Sequence, residues 1–281
     1  MKQRIVPADR IKDEVSKLLI KANTVLRPDV FKCIKILHAN ETSPRAKNML
    51  KILIENAEIA KKEKIAICQD TGMACVFIDL GADVKVRGDL LNAVNAGVKE
   101  AYLKGNFRKS VVCDPILRKN TNTNTPAVIH VDIVKGDRIK ISVMPKGFGS
   151  ENKGKIFMLN PTVTRENIVD ICVNAIKQAG PDACPPYVVG IGLGGTMERS
   201  AYLAKKALLG ALGERNRKKH IALIEREIIS RANGLKIGVM GLGGRSTVMD
   251  VKILEDATHI AGLPLAINFS CHALRSASEV I

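Results

Sequence analysis

The chain has 281 residues, enough for one large domain or two small ones at about 100–200 residues each, and 46% of them are hydrophobic. No apolar run approaches the roughly 18 residues that a membrane-spanning helix needs, and the opening MKQRIVPADRIKDE has no apolar core of the kind an export signal carries. Forty-four basic residues against 28 acidic ones leave a net charge of +16, which suits nucleic acid, an anionic surface or small anionic substrates, but aromatics at 3% and no tryptophan leave little to stack on bases.

The first 60 residues read as helical. Ser43 caps a helix that opens on Pro44, and Met49, Leu50, Leu53 and Ala57 recur at helical spacing. The apolar IAIC (65–68) predicts a strand ending at Cys68, then a turn and a second strand, CVFIDL (75–80). A helix runs from about Asp89 to Lys104 and stops at Gly105. TPAVIHVDIVKGDRIKISVMP (125–145) alternates in polarity around KGD and predicts a hairpin. Another helix begins after Thr164 and ends at Gly180, and the last hundred residues alternate short strands with helices. No Ser/Gly-rich linker or composition break divides the chain, so the expectation is a mixed α/β fold in a single domain, 1–281, with a helical N-terminal lobe.

Glycines cluster twice, as GLGG at 192–195 and again at 241–244, which marks two places where the backbone comes close to something. The first cluster completes a G-x-G-x-x-G pattern at Gly190–Gly195. A dinucleotide fold would place an acidic residue ending a second strand about 20 positions on, and here that stretch is the basic ERNRKKH (214–220), so the pattern alone is weak. That basic run lies between two helical stretches and reads as a solvated loop.

Seven cysteines, at 33, 68, 75, 113, 172, 184 and 271, are odd in number and scattered, which argues against a disulfide framework and for a reducing cytoplasm. Cys33 and Cys172 fall on apolar helix faces, Cys75 lies in a strand and Cys113 precedes Asp-Pro. Cys68 opens CQDTG, Cys184 lies in DACPPYVVGIGLGG and Cys271 in NFSCHALR, all in turn-like contexts. No CxxC pair favours zinc. Three dispersed thiols are by composition ordinary thiols; they are also a set that could hold three irons of a cluster and leave a fourth open.

Seven strings occur together in order: CQDTGMACVFIDLG, FRKSVVCDP, TNTNTPAVIHVDIVKGD, KGFGSENK, CPPYVVGIGLGGTMERS, GVMGLGG and HIAGLPLAINFSCHALR. Over about residues 10 to 281 they resemble the α subunit, or N-terminal half, of class I fumarate hydratases and the related L-tartrate dehydratases. Phe148 departs from that pattern, standing where the family commonly carries glycine. The resemblance implies a 4Fe–4S cluster held by Cys68, Cys184 and Cys271, with one iron open to substrate, and hence sensitivity to oxygen. It implies, first, reversible hydration of fumarate to L-malate, with dehydration of L-tartrate as the alternative. Gln69 and Asp70 would meet substrate, Arg108 would grip a carboxylate, and backbone at Gly149 would receive the second carboxylate. Asp70 and His259 are the acid–base candidates. Outside the resemblance, a turn Asp is usually a cap, a lone Arg is usually on the surface, and His259 before an apolar stretch would suit a core. Nothing in the chain resembles the family's second domain, so a separate β subunit is implied, in an assembly of two α and two β, with no part for nucleic acid or membrane.

Overall fold

The computed structural model describes residues 3–281. In chain order the elements are β1 (Arg4–Pro7), α1 (Ala8–Thr24), α2 (Pro28–Asn40), α3 (Pro44–Glu63), β2 (Met73–Gly81), β3 (Val84–Arg87), α4 (Leu90–Lys104), β4 (Val128–Val134) and β5 (Ile139–Lys146). Then follow α5 (Phe148–Glu151), β6 (Lys155–Leu159), α6 (Arg165–Ala179), β7 (Tyr187–Gly194), α7 (Met197–Ala207), α8 (Lys219–Gly234), β8 (Val248–Asp256), β9 (Leu263–Ser270) and β10 (Ala277–Val280). The mixed α/β class is as expected. The chain forms two compact units, both discontinuous: one takes the residues up to Arg27, Ala57–Phe148 and Arg275–Ile281, the other Pro28–Asn56 and Gly149–Leu274. Because each crossing point is short and lies in ordinary sequence, no linker marks it. The N-terminal helices are present, but they do not form a lobe of their own: α1 belongs to the first unit and α2 to the second.

The first unit is built on a four-stranded sheet in the order β10-β5-β2-β4, beside a small parallel pair of β1 and β3. β2 is buried from Ala74 to Ile78 and pairs parallel with β4 and antiparallel with β5. The expected hairpin is therefore split, because β4 and β5 flank β2 instead of each other. The reason is local. The end of β2 is received by the KGD turn, with Gly81 N donating to Arg138 O and Asp83 N to Gly136 O, so the turn residues are spent on a third strand. The stripe Ile11, Val15, Leu18, Leu19 and Ala22 of α1 packs with Val94, Val98, Ala101 and Tyr102 of α4 over this sheet.

The second unit carries a sheet in the order β6-β9-β7-β8, with β7 parallel to β8 and antiparallel to β9. One face buries Val189, Ile191, Val251, Ile253, Leu265 and Ile267 against the apolar faces of α6 and α8. α6 is set by a capping box at Thr164 and Asn167 and ends at Gly180, as its sequence predicts. The alternate residues of β7, Gly190 and Gly192, face the other way, and α7 lies directly on them. A Cβ at Gly190 would collide with Ala204 O, and one at Gly192 with Ser200 O. The G-x-G-x-x-G pattern thus serves helix packing within a strand. The N-terminus of α7, where a phosphate would sit, is occupied by Glu198, whose carboxylate accepts from the Thr196 hydroxyl at 2.6 Å.

The contrast between two glycines tests this packing. Gly192→Ala is expected to destabilise the fold by about 1–3 kcal/mol through overpacking. Gly234→Ala, at the end of α8 where a Cβ meets nothing within 4 Å, should gain about 0.5 kcal/mol from the stiffer unfolded chain. Urea midpoints measure both. A Gly192→Ala chain as stable as the parent would show that the α7 contact is loose.

Candidate functional site

In the first unit the site residues gather on the CQDTG turn. The predicted strand at IAIC does not form. α3 is followed by Lys64 in the left-handed region (φ 56°), and among the described residues no strand pairs with Ile65–Cys68. The segment is held instead by Ile67 N donating to Asn23 O at 2.9 Å. Cys68 is half-buried, Gln69 is exposed, and Asp70 is half-buried. The Asp70 carboxylate accepts from two main-chain groups, Gly72 N at 3.0 Å through Oδ1 and Phe148 N at 2.9 Å through Oδ2. Gly72 is in the left-handed region (φ 74°), and a Cβ there would lie 2.7 Å from Lys146 N, so only glycine fits the turn as it stands.

Three neighbours fix the remaining turn atoms. The Tyr102 hydroxyl stands 2.6 Å from Thr71 O and 2.9 Å from Gly72 O, and burial pushes its phenol pKa up, keeping it a donor. The Thr71 hydroxyl donates to Arg108 O at 2.7 Å. Buried Asn124 donates to Gly72 O at 3.1 Å and accepts from Ser110 N at 2.7 Å, which joins the TNTNT string to the turn. The Arg108 side chain, exposed, donates through Nη1 to Gln69 Oε1 at 3.0 Å, and no described carboxylate pairs with it. Gln69, Asp70 and Arg108 are thus brought together, on a turn whose main chain is held from several sides.

In the second unit the structure brings Cys184 and Cys271 together. Cys184 follows a short 3₁₀ turn, Gly180–Ala183, and is itself left-handed at φ 54°. Its carbonyl accepts from His272 N at 3.2 Å and faces His272 Nδ1 at 3.3 Å. Cys184 precedes β7 and Cys271 follows β9, and the antiparallel register Val188↔Ser270 puts both at one end of neighbouring strands. The second glycine cluster supports this turn. Met240 N donates to Pro185 O at 2.8 Å, and a Cβ at Gly241 would meet Pro181 Cβ at 2.5 Å. Gly149 is next to the same turn, its Cβ position 3.6 Å from Asp182 O.

His259 is not with them. It is exposed in the turn before β9, its Nδ1 accepting from Ala261 N at 3.1 Å, at the opposite end of that strand from Cys271. The length of β9, about 3.4 Å per residue over eight residues, separates the two. ERNRKKH also differs from expectation. Arg215 turns inward onto the buried carboxylates of Asp250 and Glu225, so this loop is a charge-paired corner beside a 440 Å³ cleft and only partly solvated. Tyr102, Asn124, His272 and Arg275 carry the site's hydrogen bonds and carried no signal in the sequence, since each is defined by a partner 14 or more residues away.

None of the seven cysteines forms a disulfide. Among the described residues no three or more His, Cys, Asp or Glu side chains are grouped to hold a metal ion, and no helix is long and apolar enough to cross a membrane.

The chain is a hydro-lyase. It belongs to the fumarate hydratase (Fumerase) family, whose model matches residues 12–280. It is 39% identical over 279 residues to a Methanocaldococcus jannaschii protein that carries the name L(+)-tartrate dehydratase subunit alpha provisionally, covering 97% of this chain and 98% of that one. To the L(+)-tartrate dehydratase subunit alpha of Escherichia coli O157:H7 it is 29% identical, over 97% of this chain and 91% of the other. With the protein of the same name from Escherichia coli UTI89 the identity is 30%, over 95% and 89%.

Cys172 and Cys33 differ from the turn cysteines in being packed on helices. Burial pushes Cys172 up to about 12, and burial, then Asp250 and Asp29, push Cys33 up to about 11. A thiol whose folded pKa lies above its unfolded value, about 8.5, stabilises the fold below that pH and ceases to as pH climbs toward the folded value. The urea midpoint is expected to drop between about pH 8 and pH 10.5, and Cys172→Ala to reduce the drop. An equal drop in both chains would remove Cys172 as its cause.

Proposed function

We propose that this chain is the α subunit of an iron–sulfur hydro-lyase that removes water from a small 2-hydroxydicarboxylate, working with a separate β subunit in an assembly of two α and two β. The observation that carries the reading is the pairing of Cys184 with Cys271 on held turns, in a chain whose CQDTG turn offers a third half-buried thiol. Thiolates suit iron–sulfur ligation, and a cluster spreads its ligands over several irons, unlike a single ion. Cys68, Cys184 and Cys271 would hold it. Bound there, a 4Fe–4S cluster with one open iron supplies a Lewis acid for the substrate hydroxyl.

The chain's own residues would do the rest. Arg108, with no carboxylate of its own, offers a planar fork to a substrate carboxylate, a geometry lysine cannot supply. Gln69 adds a donor beside it. Each oxygen of Asp70 accepts one main-chain N–H, and a carboxylate has about four acceptor sites in all, so the held group still has capacity to take a substrate proton. Main chain at Gly149 would receive the second carboxylate. Within the second unit, His259 lies at the far end of β9 from Cys271.

Two substrates follow from two observations. The family model is that of fumarate hydratase, which favours L-malate and fumarate; the relatives named above are tartrate dehydratases, which favours L-tartrate. Co-production with the β subunit, anaerobic reconstitution with iron and sulfide, and parallel assays on L-malate and L-tartrate decide between them. Cys68→Ser, Cys184→Ser and Cys271→Ser are each expected to abolish activity and weaken cluster absorbance, while Cys33→Ser retains both. Four variants that behave alike would sink the ligand assignment.

A further inference from the structure

Arg275 lies in the first unit and is 2% exposed. Among the described residues it pairs with no carboxylate. Its Nη2 donates to the main-chain carbonyl of Asp70 at 2.7 Å and its Nη1 to Asn23 Oδ1 at 3.3 Å, while Nε has no acceptor. A guanidinium buried on two neutral acceptors is an expensive arrangement, and surrounding structure must enforce it. Here both acceptors belong to the scaffold of one turn. Asn23 O holds Ile67 N just ahead of Cys68, and the Asp70 carbonyl lies at the centre of CQDTG. The Asp70 carboxylate is close by as well: a Cβ at Gly147 would stand 3.1 Å from Asp70 Oδ2 and 3.5 Å from Arg275 Nη2.

We propose that Arg275 is a positioning residue for the CQDTG turn, its guanidinium bridging the Asp70 carbonyl to Asn23 so that the Asp70 carboxylate and the Gln69 side chain are presented in a fixed direction. The proposal rests on the reading of that turn as the substrate-facing one. It does not follow from fold maintenance alone, because an apolar side chain would fill the same space without burying a charge. A fork with donors on separate nitrogens is required to reach two acceptors at once, and lysine, with a single nitrogen on a flexible stem, reproduces this only in part.

Amide hydrogen exchange on the full chain tests it. Arg275→Gln is expected to speed exchange of peptides covering 68–72 by about tenfold or more while α6, in the other unit, keeps its protection. Arg275→Lys should fall between Gln and the parent. Exchange at 68–72 unchanged in Arg275→Gln, or raised equally in α6, would overturn the proposal; if the Gln chain does not fold, the same two readings are taken from Arg275→Lys. In the complex with its β subunit, Arg275→Gln should lower kcat by about tenfold and move KM much less, as misplacement of a reacting group does. A rise in KM alone would make Arg275 a binding group instead. Inactivity of the parent complex on both hydroxy acids would count against the proposed function and leave the exchange result to stand by itself.

Discussion

The antiparallel register of β7 and β9 is the constraint on which the arrangement of the second unit's cysteine turns depends. Because Val188 faces Ser270, the turn before one strand and the turn after the other come to the same end of the sheet, and Cys184 and Cys271, 87 positions apart in sequence, are brought near each other by a backbone hydrogen bond from His272 N, next to Cys271, to Cys184 O. A shift of one residue along β9 would turn Leu265, Ile267 and Phe269 out of the core, so the burial that stabilises the sheet also fixes the cysteines. Packing and the placement of the two cysteines are the same fact here. The glycine-bearing face of β7 supports it from behind, since α7 can approach only where Gly190 and Gly192 leave room.

The first unit reaches the same end by other means. Its CQDTG turn, with Ile67 just ahead of it, has no strand pairing of its own and is held from elsewhere: by Asn23 on α1, Tyr102 on α4, Asn124 in the loop before β4, Phe148 after β5 and Arg275 before β10. Five separate stretches of chain converge on residues 67–72. Such convergence is costly in chain entropy and is worth building only where a few side chains must be held in one direction. Gln69 and Arg108 are the exposed side chains at this turn, and they are joined to each other.

How much of this could be read from the sequence varied with range. Helices announced by caps and periodicity, such as α4 from Asp89 and α6 from Thr164, appear where expected because their signals are local. The hairpin at KGD failed because alternation reports which face a strand buries and is silent on its neighbour; β2 claimed the place between β4 and β5. IAIC read as a strand because apolar β-branched residues suit one, yet strands need partners and none was near. No linker composition marks the crossings between the two compact units, since both are discontinuous. At the site, Gln69, Asp70 and Arg108 do come together, and so do Cys184 and Cys271, whereas His259 stands apart; sequence distance from Cys271 said nothing about the strand lying between them.

The distribution of buried charge adds a last step. In the second unit the buried carboxylates Glu41, Glu225 and Asp250 are answered by Lys252, by Arg215 and by main-chain N–H groups, so that interior is compensated. In the first unit the buried charges are Lys146 and Arg275, both cations, and no carboxylate is fully buried with them. The main chain of Lys146 lies against Gly72, and the Arg275 guanidinium donates to the Asp70 carbonyl. Charges held at low dielectric project further than solvated ones. A net charge of +16 draws anions from solution in general, a long-range effect that salt screens. The Arg275 guanidinium acts at close range on the turn it touches and is screened far less. The exposed Arg108 fork, joined to Gln69, is a cationic side chain that this turn presents to solvent, in a planar geometry suited to a carboxylate.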